Sequence, residues 1–160
     1  MEKQEILPTL YDWAGGREAL EKLTKLFYEK VALDELLAPV FENMSPAHTK
    51  HVAHFIAEVF GGPAIYTSED GGSHSIMIRH HLGKMLNEEK RKRWMTLLLE
   101  TADETGIPSD PEFRSALLAY LEWGSRIAVI NSALETNPAP ADSSMPVWGW
   151  GEPRGPYIPK

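Results

Sequence analysis

The chain has 160 residues, 42% of them hydrophobic and 24% charged, with a formal net charge of −7. That length fits one soluble domain with a real core, and the acidic balance argues against a general nucleic-acid partner, because phosphates need a positive footprint. Cysteine is absent, which excludes disulfides, thiolate zinc sites and thiol catalysis.

Met1 to Leu7 carry charges of both signs and no apolar stretch of a secretion signal. No apolar run approaches the roughly 18 residues of a membrane span, so a cytoplasmic protein with no membrane partner is expected. Gly15-Gly16 marks a corner. A helix is predicted from about Arg17 to Val31, where Leu20, Leu23, Phe27 and Val31 repeat at helical spacing and Tyr28 lies at the stripe's edge. A short piece follows through Leu36, Leu37, Val40 and Phe41. Ser45 suits an N-cap and Pro46 the first position of the next helix. On that helix His48, Val52, Phe55, Ile56 and Val59 share one face, His51 lies at its border and His54 points away. Gly61-Gly62-Pro63 stops it.

Ala64 to Ser75 reads as a loop, and Ile76 to His81 as a short apolar piece leading out of it. Asn87 caps the following helix, with Glu88 and Glu89 in its first turn. Lys90 to Arg93 read as a solvated face at its start, and Trp94, Leu97, Leu98 and Thr101 line its apolar side. Gly106 ends it. Ser109 or Asp110, then Pro111, open a last long helix striped by Phe113, Leu117, Tyr120, Leu121, Gly124, Ile127 and Ala128. From Asn137 onward lie six of the twelve prolines and two of the five tryptophans, so this stretch is not helix. Trp148, Trp150, Tyr157 and Ile158 predict an extended segment along the surface. With no strand pattern or repeat, the class is all-α with four main helices. The chain divides into a domain at residues 1–136 and a Pro/Trp-rich extension at 137–160 packed on it.

Six histidines carry the chemistry of interest: His48, His51, His54, His74, His80 and His81. No His-Glu-x-x-His motif, nucleophile elbow, Walker loop or GxGxxG occurs. A lone histidine on an apolar face, such as His48, is more often a satisfied core residue than a ligand. His80 and His81 precede a helix bearing Trp94, and only one of two consecutive residues can face a given pocket. The combination of imidazoles, a tyrosine hydroxyl and an indole on apolar helix faces suits a pocket for an apolar cofactor and a small polar ligand.

The ordered set Phe27-Tyr28, Phe41, Phe60-Gly61-Gly62-Pro63, Tyr66, Arg79-His80-His81 and Trp94 resembles the group II truncated haemoglobins. The stretch Tyr120-Leu121-Glu122-Trp123-Gly124-Ser125-Arg126 is similar to that family's last helix. The resemblance covers about Tyr11 to Ser132. It implies a two-over-two helical sandwich around one haem b, with the Pro/Trp-rich tail outside it. In this group the iron's protein ligand lies thirteen residues before the pocket tryptophan, which is His81 when Trp94 is the anchor and no gap is allowed. Reading from the Arg79-His80 pair would select His80 instead. No inserted residue is visible in the intervening turn, so the resemblance implies His81.

The resemblance further implies that Tyr28 and Trp94 donate hydrogen bonds to the bound ligand and that Phe41 wedges the haem. It puts His48 at the distal gate, where the group often has a small apolar residue. Val52, Phe55, Tyr66, Met77, Arg79, Lys84, Leu86 and Ile127 complete the expected haem contacts, with Arg79, Lys84 or Tyr66 near a propionate. The implied function is binding of O₂, NO or CO at five-coordinate iron. Slow O₂ release would suit NO oxidation or peroxidase turnover, fed by a separate reductase, better than oxygen transport. The expected partners are the diatomic ligand, that reductase and a second copy of the chain in a homodimer. Two other classes stay open: a non-haem metal bundle using His48, His51 and His81, and a cofactor-free interaction module whose tail docks a partner.

Overall fold

Thr9 and Asp12 form a capping box at the start of a short helix, α1 (Leu10–Ala14), with the Thr9 hydroxyl accepting from the Asp12 N–H at 3.0 Å. Gly15 ends α1 at φ +106° and leads straight into α2 (Gly16–Leu33), the glycine corner that the sequence predicts. A 3₁₀ turn (Ala38–Phe41) follows, then α3 (His48–Val59), α4 (Ile65–Ser68), α5 (His74–Arg79), α6 (Glu88–Glu104) and α7 (Pro111–Ser132). The computed structural model describes residues 6–156, and no strand occurs among the described residues.

The caps explain most boundaries. Asn87 and Asp110 accept from the third N–H of α6 and α7, and Pro111 sits at the first position of α7, as expected. The start of α3 differs. Its cap position is Ala47, and Ser45 spends its hydroxyl on the Ala47 N–H at 3.3 Å, so Ser45-Pro46-Ala47 form a turn ahead of the helix. The stretch from Ala64 to Ser75 is not all loop. It holds α4 and the start of α5, where Ser73 accepts from the Ile76 N–H at 3.1 Å.

α2 packs against α3 and α6, and α6 against α7, which stacks two helix pairs as the all-α expectation requires. Phe27, Phe60 and Phe113 fill the interior at 1% exposure each, and full burial of such a side chain contributes roughly 1.5–3 kcal/mol. At the end of α3, Gly62 lies flat against the Tyr11 ring, where a Cβ would come within 2.6 Å. The apolar face of α3 is not its only buried one. His54 is buried behind it, its Nδ1 2.6 Å from Asp70 and its Nε2 2.9 Å from Glu21 of α2.

Lys90 to Arg93 are likewise not simply a solvated face. Arg91 is buried and bridges Glu88 at 2.6 Å and Glu122 at 2.8 Å, tying α6 to α7, while Arg93 pairs with Asp34. From 133 to 156 the chain runs without helix, and Trp148 and Trp150 pack against the core as extended residues. Tyr157 and Ile158 lie outside the described residues. Among the described residues no helix is long and apolar enough to cross a membrane.

Candidate functional site

The helix pairs leave between them a cavity of about 600 Å³, within the range of about 300–1,000 Å³ usual for cofactor and small-molecule sites. Phe41, Val52, Phe55, Met77, Leu86 and Ile127 give it apolar walls. Tyr28, His48, His81 and Trp94 bring polar atoms to it, and Arg79 and Lys84 stand exposed at its edge. Twelve of the thirteen residues singled out from the sequence thus border one space.

His81 follows the end of α5, where its N–H donates to the Ile78 carbonyl at 2.9 Å and turns the chain. Its ring Nδ1 lies 2.9 Å from the Met77 carbonyl. A carbonyl can only accept, so Nδ1 carries the proton and Nε2 keeps its lone pair. Burial lowers the His81 pKa below the ordinary histidine value and so favours the neutral ring, partly opposed by the Met77 bond, which raises it. His80, one residue before, is exposed. The two histidines therefore have unequal surroundings.

Elsewhere in the cavity, α2, α3 and the 3₁₀ turn meet. Tyr28 Oη lies 3.3 Å from His48 Nε2, and the Tyr28 ring makes edge contacts with His48, Phe41 and Phe27 at 5.2, 5.5 and 4.9 Å between centroids. Phe27 stands edge-on to Trp94 at 5.9 Å, so one aromatic chain connects α3 through α2 to α6. Burial pushes the Tyr28 phenol pKa up and the His48 pKa down to about 4, which keeps the hydroxyl protonated and the imidazole neutral at pH 7. Trp13, Trp148 and Trp150 each donate their indole N–H to a protein acceptor. Trp94 has no such acceptor among the described residues, which leaves its N–H available to a ligand.

Tyr66 is the exception among the expected contacts. It does not border the cavity; its buried ring stands edge-on to Phe55 at 5.2 Å and covers Gly72, where a Cβ would collide with it. Its hydroxyl donates to the Ser73 carbonyl at 3.5 Å, so of the three residues expected near a propionate only Arg79 and Lys84 border the cavity. The metal-bundle alternative also fails on geometry. His48, His51 and His81 do not converge, and among the described residues no group of three or more His, Asp or Glu side chains could hold a metal ion.

Sequence reasoning missed His74 and Pro146, which both line the cavity. His74 Nδ1 is buried without a hydrogen-bond partner among the described residues. It falls at the end of the stretch read as loop, two residues before the apolar piece, and its being a histidine was the available signal; nothing local marks Pro146. Together the residues fit a haem. The walls are apolar, one imidazole presents a free Nε2, the Trp94 indole N–H has no acceptor among the described residues, and cations lie at the edge.

Comparison with known proteins agrees. Residues 9–123 match the family described as bacterial-like globin. The group 2 truncated haemoglobin YjbI of Bacillus subtilis is 30% identical over 122 residues, covering 76% of this chain and 89% of that protein. Among solved structures, the truncated oxygen-avid haemoglobin from Bacillus subtilis aligns with a TM-score of 0.66 at 30% identity, over 76% of this chain and 99% of that one. The group II truncated haemoglobin from Bacillus anthracis aligns at 0.68 and 23% identity over 88% and 98%, which supports the fold. The chain belongs to the bacterial-like globin family, as a truncated haemoglobin of group II type with haem b as its cofactor.

Proposed function

We propose that this globin holds haem b through His81 and controls a diatomic ligand with Tyr28, Trp94 and His48. In this reading residues 1–136 are the globin domain and 137–160 an extension laid on it. The observation that carries it is the His81 Nδ1 bond to the Met77 carbonyl at 2.9 Å, which leaves a neutral imidazole with a free Nε2 at the cavity wall. Such a second bond orients a ligating histidine and raises its basicity. Haem held there by His81 would supply an iron able to bind O₂, NO or CO.

The chain's own residues then decide how that ligand is held. Tyr28 keeps its proton because burial raises its pKa. The neutral His48 ring, 3.3 Å away, accepts a hydrogen bond from the phenol in one tautomer and donates one to the phenol oxygen in the other. In the second arrangement the Tyr28 O–H is free to donate into the cavity. The Trp94 indole is a donor only. Hydrogen-bond donors preset in a dry cavity stabilise negative charge on a ligand far better than water does. Slow release follows, and it suits redox turnover of NO and O₂ better than transport. The electrons come from a separate reductase, and a cytoplasmic location and a homodimer belong to the same reading.

Absorption spectra of the purified holoprotein test this. An intense Soret band and a five-coordinate ferrous form that binds O₂ and CO are expected. A chain that stays colourless on titration with haemin overturns it.

A further inference from the structure

The segment after α7 returns to the haem cavity, and the family match, which ends at residue 123, does not account for it. Ser75, in the first turn of α5, is buried. Its hydroxyl donates to the Ala139 carbonyl at 3.2 Å. The Asn137 amide donates to the Ser75 carbonyl at 2.9 Å and to the Ser75 hydroxyl oxygen at 3.1 Å. Asn137 Oδ1 in turn accepts from the Ala139 N–H at 2.9 Å, so the amide is held at both ends.

Further along, Pro146 forms part of the cavity wall. The strap is then pinned at its far end. The Trp148 N–H donates to the Val59 carbonyl at 2.8 Å, its indole to Ala116 at 3.1 Å, and the Trp150 indole to Pro8 at 2.9 Å. What the near end holds is α5, a helix of six residues. Helices shorter than roughly 12 residues do not stand by themselves, so bonds from outside fix where α5 lies. Two residues after Ser75 comes Met77, whose carbonyl orients the His81 ring.

We propose that Asn137 is a positioning residue for the haem ligand: through Ser75 it sets α5, and through α5 the direction of His81 Nε2. The inference rests on the reading of His81 as the iron ligand. The tail is then a working part of the haem site, contributed from outside the globin match.

Resonance Raman spectra of the ferrous, ligand-free holoprotein read the iron–histidine stretch directly. Asn137→Ala and Ser75→Ala are expected to displace or broaden that band and to speed haem transfer to excess apomyoglobin roughly fivefold, the effect of losing about one net hydrogen bond. Trp13→Phe, which drops the indole bond from α1 to the Asp110 cap of α7 and keeps a ring against Trp150, is expected to lower stability and leave the band in place. An unchanged band and transfer rate in both Asn137→Ala and Ser75→Ala, with the band lost in His81→Ala, overturns the positioning role alone. A band that persists in His81→Ala overturns the role together with the reading beneath it. Equal displacement by Trp13→Phe reduces the effect to general stability and also overturns it.

Discussion

His81 Nδ1 and the Met77 carbonyl lie 2.9 Å apart, one helical turn from imidazole ring to main-chain acceptor. That contact fixes a tautomer, and the tautomer fixes which atom of the ring is free to bind. The exposed His80 has no equivalent restraint. The difference in surroundings between the two adjacent histidines is thus local, set by where α5 ends.

The donor roles proposed for Tyr28 and Trp94 make a kinetic prediction. Tyr28→Phe and Trp94→Phe should each speed O₂ dissociation about 10- to 100-fold, the range for a hydrogen bond to a charged acceptor worth roughly 1.5–3 kcal/mol. Stopped-flow displacement of O₂ by CO checks both. Rates within twofold of the unaltered protein would remove these residues from ligand control.

His48 makes a prediction about pH. Burial lowers its pKa from the ordinary 6.5 to about 4, so the unfolded chain takes up a proton that the folded chain refuses. Stability from this residue is full above pH 6.5 and is lost as pH falls toward 4. His48→Leu should flatten that limb of the stability–pH curve, read by urea unfolding at fixed pH. A limb of unchanged slope in the variant would assign the pH dependence to other groups.

His54 joins α2 to α3 and to Asp70 through both ring nitrogens, at 2.9 and 2.6 Å. Its bond is the largest cause of the lowered Glu21 pKa, ahead of Arg17. The Glu21 contribution is present above the ordinary 4.5 and lost as pH falls through its lower folded value. His54→Leu should cost about 2–3 kcal/mol near pH 7 and weaken the acid limb below pH 4.5. Calorimetry at pH 7 and pH 4 measures both; equal Tm values for variant and parent at pH 7 would contradict it.

Trp148 anchors the tail by its indole bond to Ala116 and by ring contacts with Tyr120 and Trp123 at 5.7 and 5.6 Å. Trp148→Ala should destabilise by roughly 3 kcal/mol. Limited proteolysis should then cut between Asn137 and Trp150, where the parent resists. Equal resistance would mean that the tail is held by other contacts.

What the sequence made legible follows the range of the forces involved. α2, α6 and α7 are long and periodic, and Asn87 and Asp110-Pro111 act through neighbours, so their elements could be read directly. α5 could not, because its supports, Asn137 and Ala139, lie more than sixty residues away. His54 and Arg91 look like surface residues on a helical wheel, yet both are buried by partners on other helices. Tyr66 sits where the family pattern puts it in the chain, but Gly72 lets its ring fold away from the cavity. Tyr28, Phe41, His48, His81 and Trp94 survive all this because they line one space, whatever the local boundaries.

Haem binding by His81→Gly and His80→Gly, each with and without added imidazole, tests the central claim most directly. The account predicts that His81→Gly loses the five-coordinate ferrous spectrum and regains it with imidazole, while His80→Gly keeps it throughout. Loss and imidazole rescue in His80→Gly, with His81→Gly unaffected, would contradict it.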